Sequence, residues 1–319
     1  VRETAAATAQ PTGRSEDSAV VQAWREVVST APLAPRRLNY FHSTLEVPPL
    51  ATARILPCGT TQLTLASTHA RSRKEDEVDG IENDYDGTFH EWVSLELDRA
   101  VTPDVELGGR VVLAGWDESQ DRFRLFDEDG DYIVNGEGDE AKGEATSRHM
   151  NVSLVGLRAK VALGEPAPED WRLALAPSVK IPIGRDRDLT HAGTLDTALT
   201  LLATRPVGEN TFHANLGVTA PWTPTCLFES EADVDLDPFV HGGVAFVVPM
   251  DRTWSFATQL EANSSAFGDV EFLDENPLTW VFGFRRTTDD TTMQFAAGTG
   301  LDHDASYQLM LHFSVTFRF

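Results

Sequence analysis

Five basic residues recur at alternating positions in neighbouring stretches of the chain: Arg110, then Arg158 and Lys160, then Arg172 and Lys180. If those stretches are adjacent strands and the residues share a face, they form a strip of positive charge that attracts anionic solutes to one wall of a lumen. Glu96, Asp98 and Glu106 alternate in the same way just upstream, so the competing use is internal pairing that fills a narrow interior. Packing is the heavier of the two expectations. A second candidate is the run Asp127, Glu128, Asp129 and Asp131 around Gly130, since hard cations take clustered carboxylates. Its glycine does not sit where an EF-hand loop needs it, so a solvated acidic loop is expected, with no metal and no cofactor. A third set is His69, His90 with Glu91, and Asp302-His303-Asp304. Hydrolysis needs an oriented base within reach of a nucleophile or water. Proximity in sequence supplies only the orienting carboxylate, so no catalytic residue is assigned and no enzyme is expected.

The elements that must position these residues are read from periodicity. In the last segment Tyr307, Leu309, Leu311, Phe313, Val315, Phe317 and Phe319 occupy successive odd positions. The even positions carry Gln308, Met310, His312, Ser314, Thr316 and Arg318. Period two over about ten residues is the mark of a strand with two different faces. The same alternation recurs upstream as far as Leu63 and Leu65, giving about twelve strands, an even count that suits an outer-membrane barrel. Phe239 to Val248 is apolar on both faces and leaves its register open. Short links fall at Thr102 to Asp104, Glu165 to Glu169, Val207 to Asn210, Met250 to Arg252 and Thr287 to Asp290. They alternate with long ones at about 71–87, 117–147, 184–192, 223–237, 264–276 and 301–305. Short periplasmic turns and long extracellular loops are the habit of outer-membrane barrels, with both termini in the periplasm.

Before the barrel, residues 1–57 read as a periplasmic arm. Val20, Val21, Trp24, Val27 and Val28 recur at helical spacing, so a short amphipathic helix is expected before Pro32 and Pro35. The arm could plug the barrel or dock on a partner. The opening VRETAAATAQ has no charged, then apolar, signal pattern, so a leader is expected to have been removed. Cys58 and Cys226 fall at opposite ends of the barrel of residues 58–319, and no bridge between them is expected.

Composition narrows the setting. The densest apolar stretch, Phe239 to Met250, is broken by His241 and two glycines, far from the roughly 18 apolar residues of a membrane helix. With 26 basic and 50 acidic residues the net charge is −24, which repels phosphate backbones and excludes nucleic acid as a partner. A soluble sandwich would also alternate, but the inner parity carries Glu96, Glu106, Arg110, Arg158, Lys160, Arg172, Lys180, His213, Glu261, Arg285 and His312. That is too many ionisable groups for a dry core and suits a wet lumen. Trp171, Trp222, Trp254 and Trp280 fall on the apolar parity near the predicted strand ends, as an interfacial girdle requires. Trp92 and Trp116 fall on the other parity, without explanation.

The last strand, with Phe313, Val315, Phe317 and a terminal Phe319, resembles the assembly signal of bacterial outer-membrane proteins. The stretch VKIPIGRDRDLTHAGTLDTALTLLATRPVGENTFHANLGVTAPW, together with ATARILPCGTTQLTLASTHA and EWVSLELDRAVTPDVELGGRVVL, resembles an uncharacterised family of Gram-negative outer-membrane barrels. More loosely it is similar to barrels associated with phenol and toluene degradation. The resemblance implies an all-β, up-and-down transmembrane barrel in the outer membrane. It also implies lipid and lipopolysaccharide as surroundings and the barrel-assembly machinery as a transient partner. Where that family has a glycine-rich loop, this chain has the acidic DESQDRFRLFDEDGDYIVNGEGDE. The functional expectation is a narrow passive channel for small solutes, biased towards anions by the basic strip. The alternative is a structural component that anchors a protein partner through residues 1–36 or the loops.

Overall fold

A computed structural model of the chain describes residues 13–35, 37–38, 46–78, 81–117, 149–165, 167, 169–183, 195–222, 237–265, 276–301 and 309–319. The first element is the helix α1, Gly13–Ser29. It ends where Thr30 turns its hydroxyl back onto the carbonyl of Glu26 at 2.7 Å and Pro32 follows without an N–H to donate. Two short strands, β1 (Arg37–Leu38) and β2 (Glu46–Val47), pair antiparallel beyond it.

Twelve strands then form one closed antiparallel barrel in chain order: β3 Thr61–Val78, β4 Ile81–Thr102, β5 Val105–Asp117, β6 His149–Ala162, β7 Arg172–Pro182 and β8 Leu195–Val207 lead to β9 Asn210–Trp222, β10 Phe239–Pro249, β11 Trp254–Asn263, β12 Leu278–Thr287, β13 Thr291–Gly300 and β14 Leu309–Arg318. Pairing of β14 with β3, from Leu309↔Arg71 to Arg318↔Gln62, closes the circle and leaves no edge strand. The expected twelve-stranded, all-β, up-and-down barrel is the observed one.

Alternation decides which side of the wall each residue takes. Along β12, Leu278, Trp280, Phe282 and Phe284 are exposed while Thr279, Val281, Gly283 and Arg285 are buried. The exposed set continues around the barrel through Leu157, Leu199, Leu216, Val240, Phe295 and Phe313. A contiguous apolar surface of this extent is far larger than the few hundred Å² a soluble monomer tolerates, and it suits contact with lipid. Trp171, Trp222, Trp254 and Trp280 all stand on this outer face. Trp171 meets Phe212 edge-on at 5.9 Å, Trp222 donates to Thr197 at 2.6 Å and Trp280 donates to Thr258 at 2.8 Å. Phe313, Phe317 and Phe319 are exposed and Val315 half-buried. Trp92 turns inward and is fully buried, and the side chain of Trp116 lies outside the described residues. The register of β10 is fixed with Phe239, His241, Ala245 and Val247 inward and Val240 and Val244 outward.

The short connections fall where expected, at one end of the barrel. The β8–β9 turn is closed by two residues, and Gly208 takes φ +64° there, a conformation that favours glycine. In the β10–β11 turn Asp251 Oδ1 accepts from the Thr253 N–H at 2.6 Å, the Thr253 hydroxyl at 3.0 Å and the Trp254 N–H at 2.8 Å. The Thr253 and Trp254 backbone donors hold this carboxyl below the usual carboxylate range. A group depressed in the folded state contributes its stabilisation above the ordinary carboxylate pKa and loses it as pH falls through the folded value. Asp251→Ala is therefore expected to lower the temperature of heat-modified gel migration at neutral pH. The gap from wild type should close in acid, below the carboxylate range.

One expectation is corrected. Residues 71–87 are not a long loop: β3 and β4 continue their ladder as far as Val78↔Ile81, with a register shift between Arg71 and Arg73. The run between them holds no proline, so no residue in it lacks the backbone N–H that the ladder needs. The remaining long connections, including Asp127 to Asp131, Cys226 and Asp302 to Asp304, lie outside the described residues.

Candidate functional site in the barrel lumen

The inner face is built from rows of side chains that run across the strands. In the first row Asp98 on β4 is in register with Gly108 on β5, which is in register with Arg158 on β6. Arg158 reaches across the intervening strand to Asp98, with Nε–Oδ1 at 3.0 Å and Nη2 at 2.7 Å from each oxygen, while Nη2 lies 3.5 Å from Glu96. Gly108 makes the crossing feasible. A Cβ there would stand 2.2 Å from Asp98 Oδ1 and 2.8 Å from Arg158 Nε. The next row runs Glu96, Arg110, Gly156, Lys180 and Asp196 over β4 to β8. Gly156 leaves room in the same manner, its absent Cβ falling 2.5 Å from Arg110 Nε. Lys180 Nζ pairs with Asp196 at 2.5 Å, both side chains 4% exposed. A third pair, Lys160 with Glu106 at 3.0 Å, lies towards the short-turn end.

Of the basic strip read from sequence, Arg158, Lys160 and Lys180 thus face carboxylates. Arg110 lies along the same wall, and Arg172 is half-buried at the start of β7. Charge-assisted, multidentate hydrogen bonds are the strong kind, and buried partners are screened little by salt. This wall is a cross-braced ionic sheet and holds few isolated cations.

The opposite wall, on β8 to β14, carries more neutral polar groups beside Glu261 and Arg285 and holds the arm. His213 Nε2 donates to the Thr30 carbonyl at 2.7 Å, with its Nδ1 2.9 Å from the Thr204 hydroxyl. Ser255 donates to the Ser29 carbonyl at 3.0 Å, and Gln259 Oε1 accepts from the Leu33 N–H at 3.0 Å. Gln259 in turn donates to Glu261. Arg285 clamps the chain where it turns: Nη1 donates to Ala31 O at 2.5 Å, and Nη2 donates to Pro32 O at 2.7 Å and Gln294 Oε1 at 2.8 Å. His312 pairs with Thr68 at 2.8 Å beyond them. The returning part of the arm is bound by Thr204, which accepts from the Ala53 N–H at 2.9 Å, and by Glu106, which accepts from the Leu56 N–H at 3.1 Å.

The described residues of the arm beyond α1 therefore lie in the lumen. Prolines 32, 35, 48 and 49 keep this stretch extended without backbone donors to satisfy at those positions, and the strand side chains supply partners for the rest. Helix α1 lies across the short-turn mouth. Trp24, fully buried, packs with Leu56 and Ala100, while Arg25 pairs with Asp289 at 3.0 Å and donates to the Arg252 carbonyl at 3.0 Å on two turns. Arg54 and Glu26 tie the helix to the returning arm at 2.7 Å. A cavity of about 230 Å³ remains between the arm residues Pro32, Pro49 and Leu50 and the charged wall at Glu96, Asp98 and Arg110. This is less than the roughly 300–1,000 Å³ of ligand pockets.

Sequence reading did not single out Asp196, Thr204, Gln259, Gln294 or the arm residues Thr52 and Arg54. The barrel residues all fall on the inner parity, which was the available signal. His69 is exposed on the outer face, and the side chain of His90 lies outside the described residues.

No family model matches the chain, and no curated protein matches it significantly. Many solved barrels do. An outer-membrane channel from Pseudomonas putida F1 aligns with a TM-score of 0.63 at 13% identity, over 84% of this chain and 98% of that one. The NanC porin aligns with a TM-score of 0.48 at 7% identity, over 80% and 98% of the two chains. The P. putida toluene transporter TodX aligns with a TM-score of 0.40 at 9% identity, over 82% and 90%. Taken with the apolar belt and the closed strand order, the first of these likenesses fixes the architecture: the chain is a twelve-stranded β-barrel of the outer-membrane type.

Proposed function

We propose that the protein is a narrow passive channel for small polar solutes across a Gram-negative outer membrane, with its short-turn end in the periplasm and its own arm constricting the lumen. The observation that carries this reading is the composition of the inner face. Asp98, Glu106, Lys180, Glu261, Arg285 and His312 are charged or titratable groups on a face that a purely structural barrel would fill more cheaply with apolar side chains. The bias towards anions is given up. Three of the five residues on which it rested, Arg158, Lys160 and Lys180, pair with Asp98, Glu96, Glu106 and Asp196, so a weak charge preference is expected. The apolar face of α1 around Trp24 packs on Leu56 and Ala100, so an anchoring role for the protein would rest on the polar face of the helix or on the loops.

The test is planar-bilayer recording with the purified full chain, next to a chain lacking residues 1–56. The full chain is expected to give small unitary currents with a reversal potential near zero in a salt gradient, and the shortened chain larger ones. Absence of current from both, with no solute flux in liposomes, would reject a channel.

A further inference from the structure

The barrel's outer face carries a group that lumen transport does not use. On β3 the outward positions run Leu63, Leu65, Ser67, His69 and Arg71, between buried Ala66, Thr68 and Ala70. Ser67 Oγ lies 3.0 Å from His69 Nε2. The other ring nitrogen, Nδ1, lies 3.7 Å from Glu91 Oε1 on β4, directly across from His69 in the ladder. Two residues apart on one strand face and one step across to the next strand is the spacing that brings a hydroxyl, an imidazole and a carboxylate into line. With the Nδ1 proton turned to Glu91, Nε2 is left to accept from Ser67, the polarity a nucleophile and its base require. The Nδ1–Glu91 distance is longer than a hydrogen bond, and a small rotation of the half-exposed His69 ring closes it, as bases in unliganded sites commonly need.

The surroundings select the substrate. Phe313 is in register with Ser67 and Leu311 with His69 on β14, and Val93 flanks Ser67 on β4. Leu65, Leu311 and Phe313 are exposed. Ser67 and His69 stand six and eight residues along β3 from Thr61, about 20–26 Å at roughly 3.3 Å per residue along a tilted strand. At a tilt of roughly 35–45° this is a rise of about 15–20 Å, which places them in the long-loop half of an apolar band about 25 Å tall. Arg71 follows on the same face, two residues beyond His69, where its charge suits a lipid phosphate.

We propose that Ser67, His69 and Glu91 form a lipid-facing esterase site that acts on the acyl esters of membrane amphiphiles, glycerophospholipids above all. Ser67 Oγ attacks the ester carbonyl carbon as its proton passes to His69 Nε2. The carbon–oxygen bond to the alcohol then breaks, and the departing oxygen takes that proton. Water next attacks the acyl-Ser67 ester, giving one proton to His69, which returns it to Ser67 Oγ as the fatty acid leaves. Glu91 is a positioning residue that holds the ring and balances its charge.

The experiment uses the folded full chain in mixed micelles of detergent and phospholipid, with heat-modified migration as the check that each variant is a barrel. A fluorophosphonate probe is expected to label the wild type on the peptide containing Ser67 and to leave Ser67→Ala and His69→Ala unlabelled. Release of fatty acid from the phospholipid should be lost in Ser67→Ala and fall by about 10²–10⁴-fold in His69→Ala, the usual range for a general base. Glu91→Gln should lower kcat with KM unchanged, and Glu91→Asp should restore part of it. A wild type that is unlabelled, is labelled elsewhere, or releases fatty acid no faster than Ser67→Ala overturns the proposal. None of these readouts depends on conductance, so the channel reading stands or falls separately.

Discussion

Replacing Arg158 with methionine is expected to destabilise the barrel by about 3 kcal/mol, the lower part of the range for breaking a buried ion pair by removing one partner. The lower end applies because the Arg158 side chain is 34% exposed, whereas Asp98 is 2% exposed and cannot turn to water. After the substitution Asp98 keeps only the 3.2 Å contact from Gln62 Nε2 among the donors described for it, and an uncompensated buried carboxylate is the expensive residue of the change. Urea unfolding of protein folded into lipid vesicles measures this as a lowered midpoint. A second variant separates charge from packing. Asp98→Asn combined with Arg158→Met should recover more than half of the loss, because neighbours in one network are not additive. Equal midpoints for wild type and Arg158→Met would show that the cross-strand brace contributes nothing.

The second large effect belongs to Arg285. Its guanidinium holds two successive arm carbonyls and Gln294, and hydrogen bonds to a charged group contribute about 1.5–3 kcal/mol each. Arg285→Ala removes all three and leaves the remaining anchors at His213, Ser255, Gln259 and Thr204. If about 3 kcal/mol of docking is lost, the undocked fraction rises roughly 100-fold. Single-channel recording should then show frequent large openings that are rare in the wild type. Arg285→Lys, which retains the charge but not the fork, should fall between the two. A cysteine pair that ties residue 31 to β12 should abolish the large openings in either background, which distinguishes arm release from a change in the wall itself.

Much of this was legible beforehand, for identifiable reasons. A strand whose outer face meets lipid and whose inner face meets water writes both faces into every second residue. The parity of β12 and β14 was therefore readable residue by residue, and so was the inward direction of Arg285 and His312. Turn chemistry marked the short links for the same local reason, as at Gly208 and Asp251. The extension of β3 and β4 beyond Arg71 was not legible because its residues are charged at successive positions, without the apolar-polar contrast that reveals a strand. Trp92 broke the pattern of its neighbours, and its inward burial is set by the closed barrel. The destination of the arm was not legible. Its carbonyls bind Arg285 and His213 from strands more than 180 residues away, and backbone acceptors leave no mark on residue type. Ser67 was overlooked because a serine on a lipid-facing parity reads as a small filler until Glu91 is brought beside His69 by pairing.

Gly108 and Gly156 carry a consequence for how the barrel assembles. Apolar alternation forbids a strand to slip by one residue, because every side chain would change sides, but it is blind to a slip of two. If β5 moved by two along its partners, the faces would be kept, yet Arg110 would come to lie beside Arg158 in place of Gly108. Two cations would then crowd a gap shaped for one. The bare positions act with the long arginines as a key and its wards, rejecting misregistered pairings that lipid contact alone would accept.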